Sequence, residues 1–229
     1  MRLFDTILNA LFPTVCVGCG EVLVGNERQL CLHCLNQLSY TGFSRLDTNP
    51  AEALLMGIPH LRGATALLHY GHGDIVQHIV HSMKFHGNSE LCLMMGRQMG
   101  LDLLQSARFD DVDLLLPVPL HPLRRLRRGY NQSQLLCQGI AAVFPRPVDT
   151  TSFRRSRYTR KQSLQHVQQR RDNVNGAFRV TRPDALEGRH VLLVDDVLTT
   201  GATIRACCDA LSSVPGISIS VATLTIAGM

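Results

Sequence analysis

Asp195 and Asp196 stand side by side, and Thr199, Thr200, Gly201, Ala202 and Thr203 follow at once. Two carboxylates repel a phosphate, so their natural partners are hydroxyl groups or a cation. A hydroxyl- and glycine-rich loop opening a helix has the opposite preference. Its unpaired backbone N–H groups point outward, the helix dipole favours negative charge, and a glycine lets the backbone come close. A sugar phosphate with vicinal hydroxyls satisfies both halves, with its diol on the carboxylates and its phosphate in the loop. A strand ending in solvated acids before a helix capped by Thr200 is the plain alternative.

Cys16, Cys19, Cys31 and Cys34 form C-x2-C-x11-C-x2-C. Each C-x2-C turn can present two thiolates, and four suit a tetrahedral Zn2+. Disulfides are the competing reading, disfavoured in a reducing compartment. His33 lies inside the second pair and is read as a bystander. With four protein ligands the metal has no open position, so the Zn2+ is expected to be structural. A unit of this size cannot bury enough surface to fold alone, and structural zinc supplies on the order of 10 kcal/mol or more.

Charge is distributed unevenly. The chain carries a net +5, yet residues 121–171 hold twelve Arg and Lys against Asp149 alone, so that segment is +11 and the remainder −6. Lys84 and Lys161 are the two lysines of the chain, which makes the basic character guanidinium, suited to phosphate forks and to stacking on bases.

The elements that must position these groups follow from apolar periodicity. Val191 to Val194 is a continuous apolar run, as in a parallel strand covered on both faces, and the two Asp residues are expected to end it. ATIRACCDALSS then reads as a helix packed through Ile204, Cys208 and Leu211. GATALLHY, DLLLPVP, VDTTSF and GISISVATLTIA read as further core strands. DIVQHIVHSMKF, residues 88–106 and the stretch from about Asn131 read as helices. His78 and His81, three apart, could share a ligand but are read as ordinary helix positions. RRSRYTRKQSLQHVQQRRDNVNGAFRV, residues 154–180, is a polar, Arg-rich stretch of weak period that reads as a lid over a charged ligand, or as a solvated loop.

In this order, the four cysteines, YGHGDIVQHIVHSMKFHG, LLLPVPLHPLRRLRRGYNQS, DNVNGAF and VLLVDDVLTTGAT resemble the ComF family over nearly the whole chain. Its members are competence-associated, phosphoribosyltransferase-like proteins linked to DNA uptake and utilisation. The resemblance implies an α/β fold with a type I phosphoribosyltransferase-like parallel sheet and a small N-terminal four-cysteine zinc unit. It implies that Asp195 and Asp196 hold the ribose hydroxyls of phosphoribosyl pyrophosphate (PRPP), and Thr199, Thr200, Gly201, Ala202 and Thr203 its 5-phosphate. Arg127, Arg128, Gly129 and Tyr130 become pyrophosphate-side candidates, with Lys84 a phosphate contact and Lys161 on the lid. Mg2+ would accompany PRPP, and a nitrogen nucleophile, not identifiable from the sequence, would displace pyrophosphate.

Two other classes stay open. One is a binding module for single-stranded DNA or a nucleotide on a non-catalytic fold of this kind, with Tyr130 and Tyr158 stacking on bases and the zinc unit meeting a DNA-uptake protein. The other is a sensor of PRPP that does not turn it over.

The expected organisation is an N-terminal helix and zinc-ribbon-like unit over 1–40, a linker over 41–62 and a phosphoribosyltransferase-like domain over 63–229. At 45% hydrophobic residues the chain can build a core of that size. No apolar run approaches the ~18 residues needed to cross a bilayer. MRLFDTILNALF is read as a short amphipathic helix docking on the protein, and the compartment as cytoplasmic.

Overall fold

A computed structural model describes residues 13–71, 74–155 and 176–228. The expected N-terminal helix and residues 156–175 of the expected lid, with Tyr158 and Lys161, lie outside the described residues; the two ends of that lid stretch are not lid but strand, in Phe153–Arg155 and Phe178–Val180.

Four strands form a parallel sheet: β1 (Leu61–His69), β2 (Leu114–Pro117), β5 (His190–Leu198) and β6 (Ser218–Ile226), in the order β1-β6-β5-β2. Side chains alternate across a strand, so both faces must be covered. Leu192 and Val194 pack with helices α3 (Ile75–Phe85), α4 (Ser89–Leu103) and α6 (Gln132–Ala141), whereas Val191 and Leu193 pack with α7 (Ala202–Leu211). Ile204, Cys208 and Leu211 are buried as the periodicity requires.

Two strand expectations are corrected. The Asp pair does not end its strand: β5 runs on to Leu198, with Asp195 opposite Thr223 and Val197 opposite Thr225. The β-branched partner strand β6 continues past that point and carries the ladder with it. VDTTSF is not one core strand. Val148 makes a single parallel bridge to Leu115, after which Asp149 Oδ1 accepts from the N–H groups of Thr151 (2.7 Å) and Ser152 (3.0 Å) and turns the chain. Phe153–Arg155 (β3) then pairs antiparallel with Phe178–Val180 (β4) in a separate two-stranded sheet.

The N-terminal unit, which contains the short helix α1 (Leu32–Asn36), is docked on α3 and the start of α4. His78 Nδ1 donates to Gly18 O (2.8 Å), and Gln29 bonds both Glu90 (2.7 Å) and Asn88 (2.6 Å) at the start of α4. His78 is thus spent on the docking contact, while the His81 ring lies 4.7 Å from that of Phe85. Residues 41–62 contain α2 (Pro50–Leu55), started by Asn49, whose Oδ1 accepts from Ala51 N and Glu52 N. Ala51 and Leu55 of this helix are fully buried against the sheet.

Helices α4 and α6 approach through glycine. A Cβ on Gly139 would collide with Leu93 O and lie 2.8 Å from Gly96 Cα, so the contact is backbone against backbone. This closeness brings the first turn of α6 to the sheet edge. We expect Gly139→Val to destabilise the fold by about 1–3 kcal/mol or more through overpacking, lowering the melting temperature by roughly 2–4 °C per kcal/mol. Thermal denaturation followed by circular dichroism checks this.

Candidate functional site

The carboxyl ends of β2 and β5 open into a cleft of about 450 Å3 lined by Lys84, Arg124, Arg128, Ser133, Arg155, Asp195, Asp196, Thr199 and Thr203 among others. Ligands in open α/β sheets bind at this edge. Asp195 Oδ1 accepts from Ser133 Oγ (3.0 Å) and from Asp196 N (2.9 Å), and Lys84 Nζ lies 3.0 Å from Asp196 Oδ2. Burial, and secondarily the neighbouring charge of Asp196, push the Asp195 carboxyl up to about 7, against the lowering effect of those hydrogen bonds and of Lys84. Asp195 therefore carries a charge only with help from around it.

That help is fixed in place by the last turn of α3. Its Met83 carbonyl, left without a partner in the helix, accepts from Tyr130 Oη (2.7 Å) and Gln132 Nε2 (3.1 Å). Both donors lie within three residues of Ser133, so Lys84 and Ser133 are clamped relative to one another. Asn131 completes the junction by capping α6 at Ser133 N (3.2 Å) and donating to Val118 O (3.1 Å).

Beyond β5 the phosphate-type loop reaches the N-terminus of α7. The N-cap is Gly201, not Thr200, at φ +73°, and among the described residues no side chain caps this end. A substituted Cβ at Gly201 would lie 3.0 Å from Leu55 Cδ2. Left-handed backbone and close packing both select glycine here. The helix thus presents N–H donors and the positive end of its dipole at the cleft.

The expected residues divide accordingly. Lys84, Arg128, Asp195, Asp196, Thr199 and Thr203 meet in the cleft, while Thr200, Gly201 and Ala202 contribute loop backbone beside it. Gly129, at φ +83°, is the turn between helix α5 (Pro122–Arg128) and α6 and does not line the cleft. Tyr130 does not line it either: its hydroxyl serves Met83, and burial raises its pKa, so it is an anchor and not a stacking surface. Arg127 belongs to α5, and its side chain is outside the described residues. Arg124, Ser133 and Arg155 join the cleft without a motif of their own. In the sequence Ser133 is only part of a helix start, and Arg155 is one of many arginines.

A second chemical arrangement lies at the opposite edge of the sheet. Asp111 Oδ1 is 3.0 Å from His190 Nδ1, and His190 Nε2 is 2.9 Å from Ser220 Oγ. Ser220 is 1% exposed, so no substrate reaches it and the chain of bonds braces β5 on β6.

At the N-terminus the sulfur atoms of Cys16, Cys19, Cys31 and Cys34 all lie within 4.8 Å of one another. Bonds of ~2.3 Å to a tetrahedral Zn2+ would put sulfurs ~3.8 Å apart. Cys19 and Cys31 are at 3.8 Å. The N–H groups of Gly18 (3.4 Å) and Cys31 (3.3 Å) point at Cys16 Sγ, and that of Cys34 at Cys31 Sγ (3.4 Å), as suits thiolates. The set fits a closed structural zinc site, and His33, exposed, stands outside it.

Comparison with known proteins agrees with both halves. Residues 131–227 match the phosphoribosyl transferase domain and residues 7–44 the double zinc ribbon domain. DNA utilization protein YhgH of Escherichia coli is 36% identical over 129 residues, 55% of this chain; the chain spans 56% of the length of that relative. Competence protein F of Haemophilus influenzae is 27% identical over 198 residues, 83% of this chain and 81% of that protein. Competence protein ComFC of Bacillus subtilis is 27% identical over 136 residues, 59% of this chain and 53% of that protein. No helix among the described residues is long and apolar enough to cross a membrane.

We expect chain purified without chelators to carry one zinc by metal analysis, and Cys31→Ser to lose both metal and thermal stability; near-zero zinc in the unmutated chain would refute the site. A second expectation concerns pH. The Asp195 carboxyl rises from 3.8 to about 7 on folding, so its protonated form stabilises the fold. That contribution is complete below pH about 4 and disappears as pH rises through about 7. Ligand-free Asp195→Asn should therefore melt above the unmutated chain at pH about 8, the gap closing toward pH about 4. Melting curves across that range check the sign.

Proposed function

We propose, on the premise that this chain is a ComF-type protein joining a double zinc ribbon to a phosphoribosyl transferase domain, that its cleft binds PRPP or a related sugar phosphate. One observation carries the reading: a paired carboxylate and an uncapped helix N-terminus face one cleft that Lys84 and Arg128 also line. Asp195 and Asp196 receive the ribose hydroxyls, and the Thr199–Thr203 loop receives the 5-phosphate. Lys84, Arg128, Arg124 and Arg155 surround the pyrophosphate. Lys84 already pairs with Asp196, so it can exchange that carboxylate for an incoming phosphate oxygen without crossing the cleft. Mg2+ arriving with PRPP supplies charge neutralisation between diol and pyrophosphate.

A role in DNA uptake or utilisation rests on the names of the relatives. Direct binding of single-stranded DNA is the second reading, and Arg154 favours it. Arg154 is exposed and does not line the carboxylate cleft, whereas its neighbour Arg155 is partly buried and does. The two adjacent arginines both border a smaller cleft of about 240 Å3, and Arg155 alone of the two reaches the carboxylate cleft.

Titration calorimetry with PRPP and Mg2+, run beside single-stranded DNA, tests both. Asp196→Asn should weaken PRPP by about 10- to 150-fold, as expected on removing one charge-assisted hydrogen bond. Arg155→Ala should weaken it in the same direction. Arg154→Ala should leave PRPP binding unchanged and make the salt dependence of DNA binding shallower, by about 0.7 in slope for each phosphate no longer neutralised. No PRPP binding at millimolar ligand would overturn the first reading, and salt-independent or absent DNA binding the second.

A further inference from the structure

The four-cysteine unit reaches α3, the helix that carries Lys84, near both of its ends. At the first turn the contact is Gly18, which lies between the ligand pair Cys16 and Cys19. Its N–H points at Cys16 Sγ (3.4 Å) and its carbonyl accepts from His78 Nδ1 (2.8 Å), so one residue is tied to the metal site on one side and to the helix on the other. The packing leaves no slack there: a Cβ on Gly18 would lie 2.8 Å from Cys34 Sγ and 3.0 Å from Ile75 Cγ2. At the last turn the contact runs through Asn88. Its Nδ2 donates to Gln29 Oε1 (2.6 Å) and to Ser82 Oγ (3.4 Å), while its Oδ1 caps α4 at Leu91 N (3.0 Å). Gln29 stands two residues before Cys31, at φ +62°, with its carbonyl held by Val17 N (2.8 Å). Ser82 directly precedes Met83, whose carbonyl Tyr130 and Gln132 hold, and Lys84 follows.

Between these two contacts the unit and the helix share one core. Cys16, Cys31 and Cys34 are buried in the same cluster as Val76, Ile79 and Met83 of α3. An eleven-residue helix does not hold its shape in water without such packing. A small four-thiolate unit folds with its metal and unfolds without it. Unfolding of the unit would therefore strip the apolar face of α3 and release His78 and Asn88 together, leaving the end of the helix that aims Lys84 held from one side only.

We infer that zinc binding by the four cysteines and sugar-phosphate binding in the cleft are cooperative, with Gln29 and His78 as the positioning residues that carry the coupling. The inference rests on the PRPP reading above. The element with two states is the zinc unit, folded on α3 or detached from it. With the unit in place, Lys84 is already set beside Asp196 and opposite the start of α6. With the unit detached, the ligand has to order that end of α3 as it binds, and its affinity falls accordingly. Linkage makes the effect reciprocal, so PRPP tightens the hold of the cysteines on zinc by the same factor.

The test uses the full zinc-loaded chain. Its zinc affinity is measured by competition with a chelator that buffers free Zn2+, with and without saturating PRPP and Mg2+, and PRPP binding is measured by calorimetry. PRPP should raise the zinc affinity of the unmutated chain by about fivefold or more. Gln29→Ala and His78→Leu should each keep one zinc, bind PRPP more weakly and show a smaller PRPP-dependent shift in zinc affinity. His78→Asn, which keeps an N–H donor at the same position along the side chain, should behave as the unmutated chain does. A purely local role in folding would lower the melting temperature of the variants without changing that shift. PRPP binding that leaves the zinc affinity of the unmutated chain unchanged overturns this inference alone, and that measurement depends on no variant. A full shift retained in both Gln29→Ala and His78→Leu also overturns it. Failure to bind PRPP overturns the earlier reading and this one together.

Discussion

Two adjacent carboxylates on a strand whose neighbours are buried are mutually repulsive and poorly solvated. Much of the surrounding architecture reads as the response to that constraint. Lys84 faces Asp196, Ser133 and the Asp196 amide face Asp195, and the raised Asp195 pKa measures how incompletely they compensate. A ligand diol would add hydrogen-bond donors where the empty protein is short of them. The stability cost of the pair and its capacity to accept further hydrogen bonds have the same physical origin.

The helices around the pair owe their positions to backbone contacts more than to side-chain bulk. Gly96 and Gly139 let α4 and α6 touch, and Met83 O, clamped by Tyr130 and Gln132, ties the end of α3 to the start of α6. The zinc unit grips the other end of α3 through Gly18 and His78. Metal binding, expected to contribute much of that unit's folding energy, is thereby connected through one eleven-residue helix to the lysine in the cleft.

Basic charge in this chain is sorted by strand geometry. Arg154 and Arg155 are neighbours in sequence, yet the alternation of a strand sends one to solvent and the other to the Asp pair, where burial and the Arg124 charge lower its pKa. A charge count over residues 121–171 sees both as one patch. The cleft uses only some of them.

The sequence alone determined whatever depends on local chemistry. C-x2-C twice over specifies four thiolates, and DDVLTTGAT specifies carboxylates before a hydroxyl- and glycine-rich loop that opens a helix. The apolar runs specify a sheet covered on both faces. Tertiary structure decided what depends on partners far along the chain. Strand β5 runs past its acids because β6 offers a ladder there, and Tyr130 is an anchor because Met83 O, 47 residues away, needs a donor. Ser133 and Arg155 join the site only because the sheet order brings β2, β5 and their loops to one edge. Local periodicity carries propensity and turn chemistry, but a hydrogen-bond partner distant in sequence is fixed only when the chain has packed.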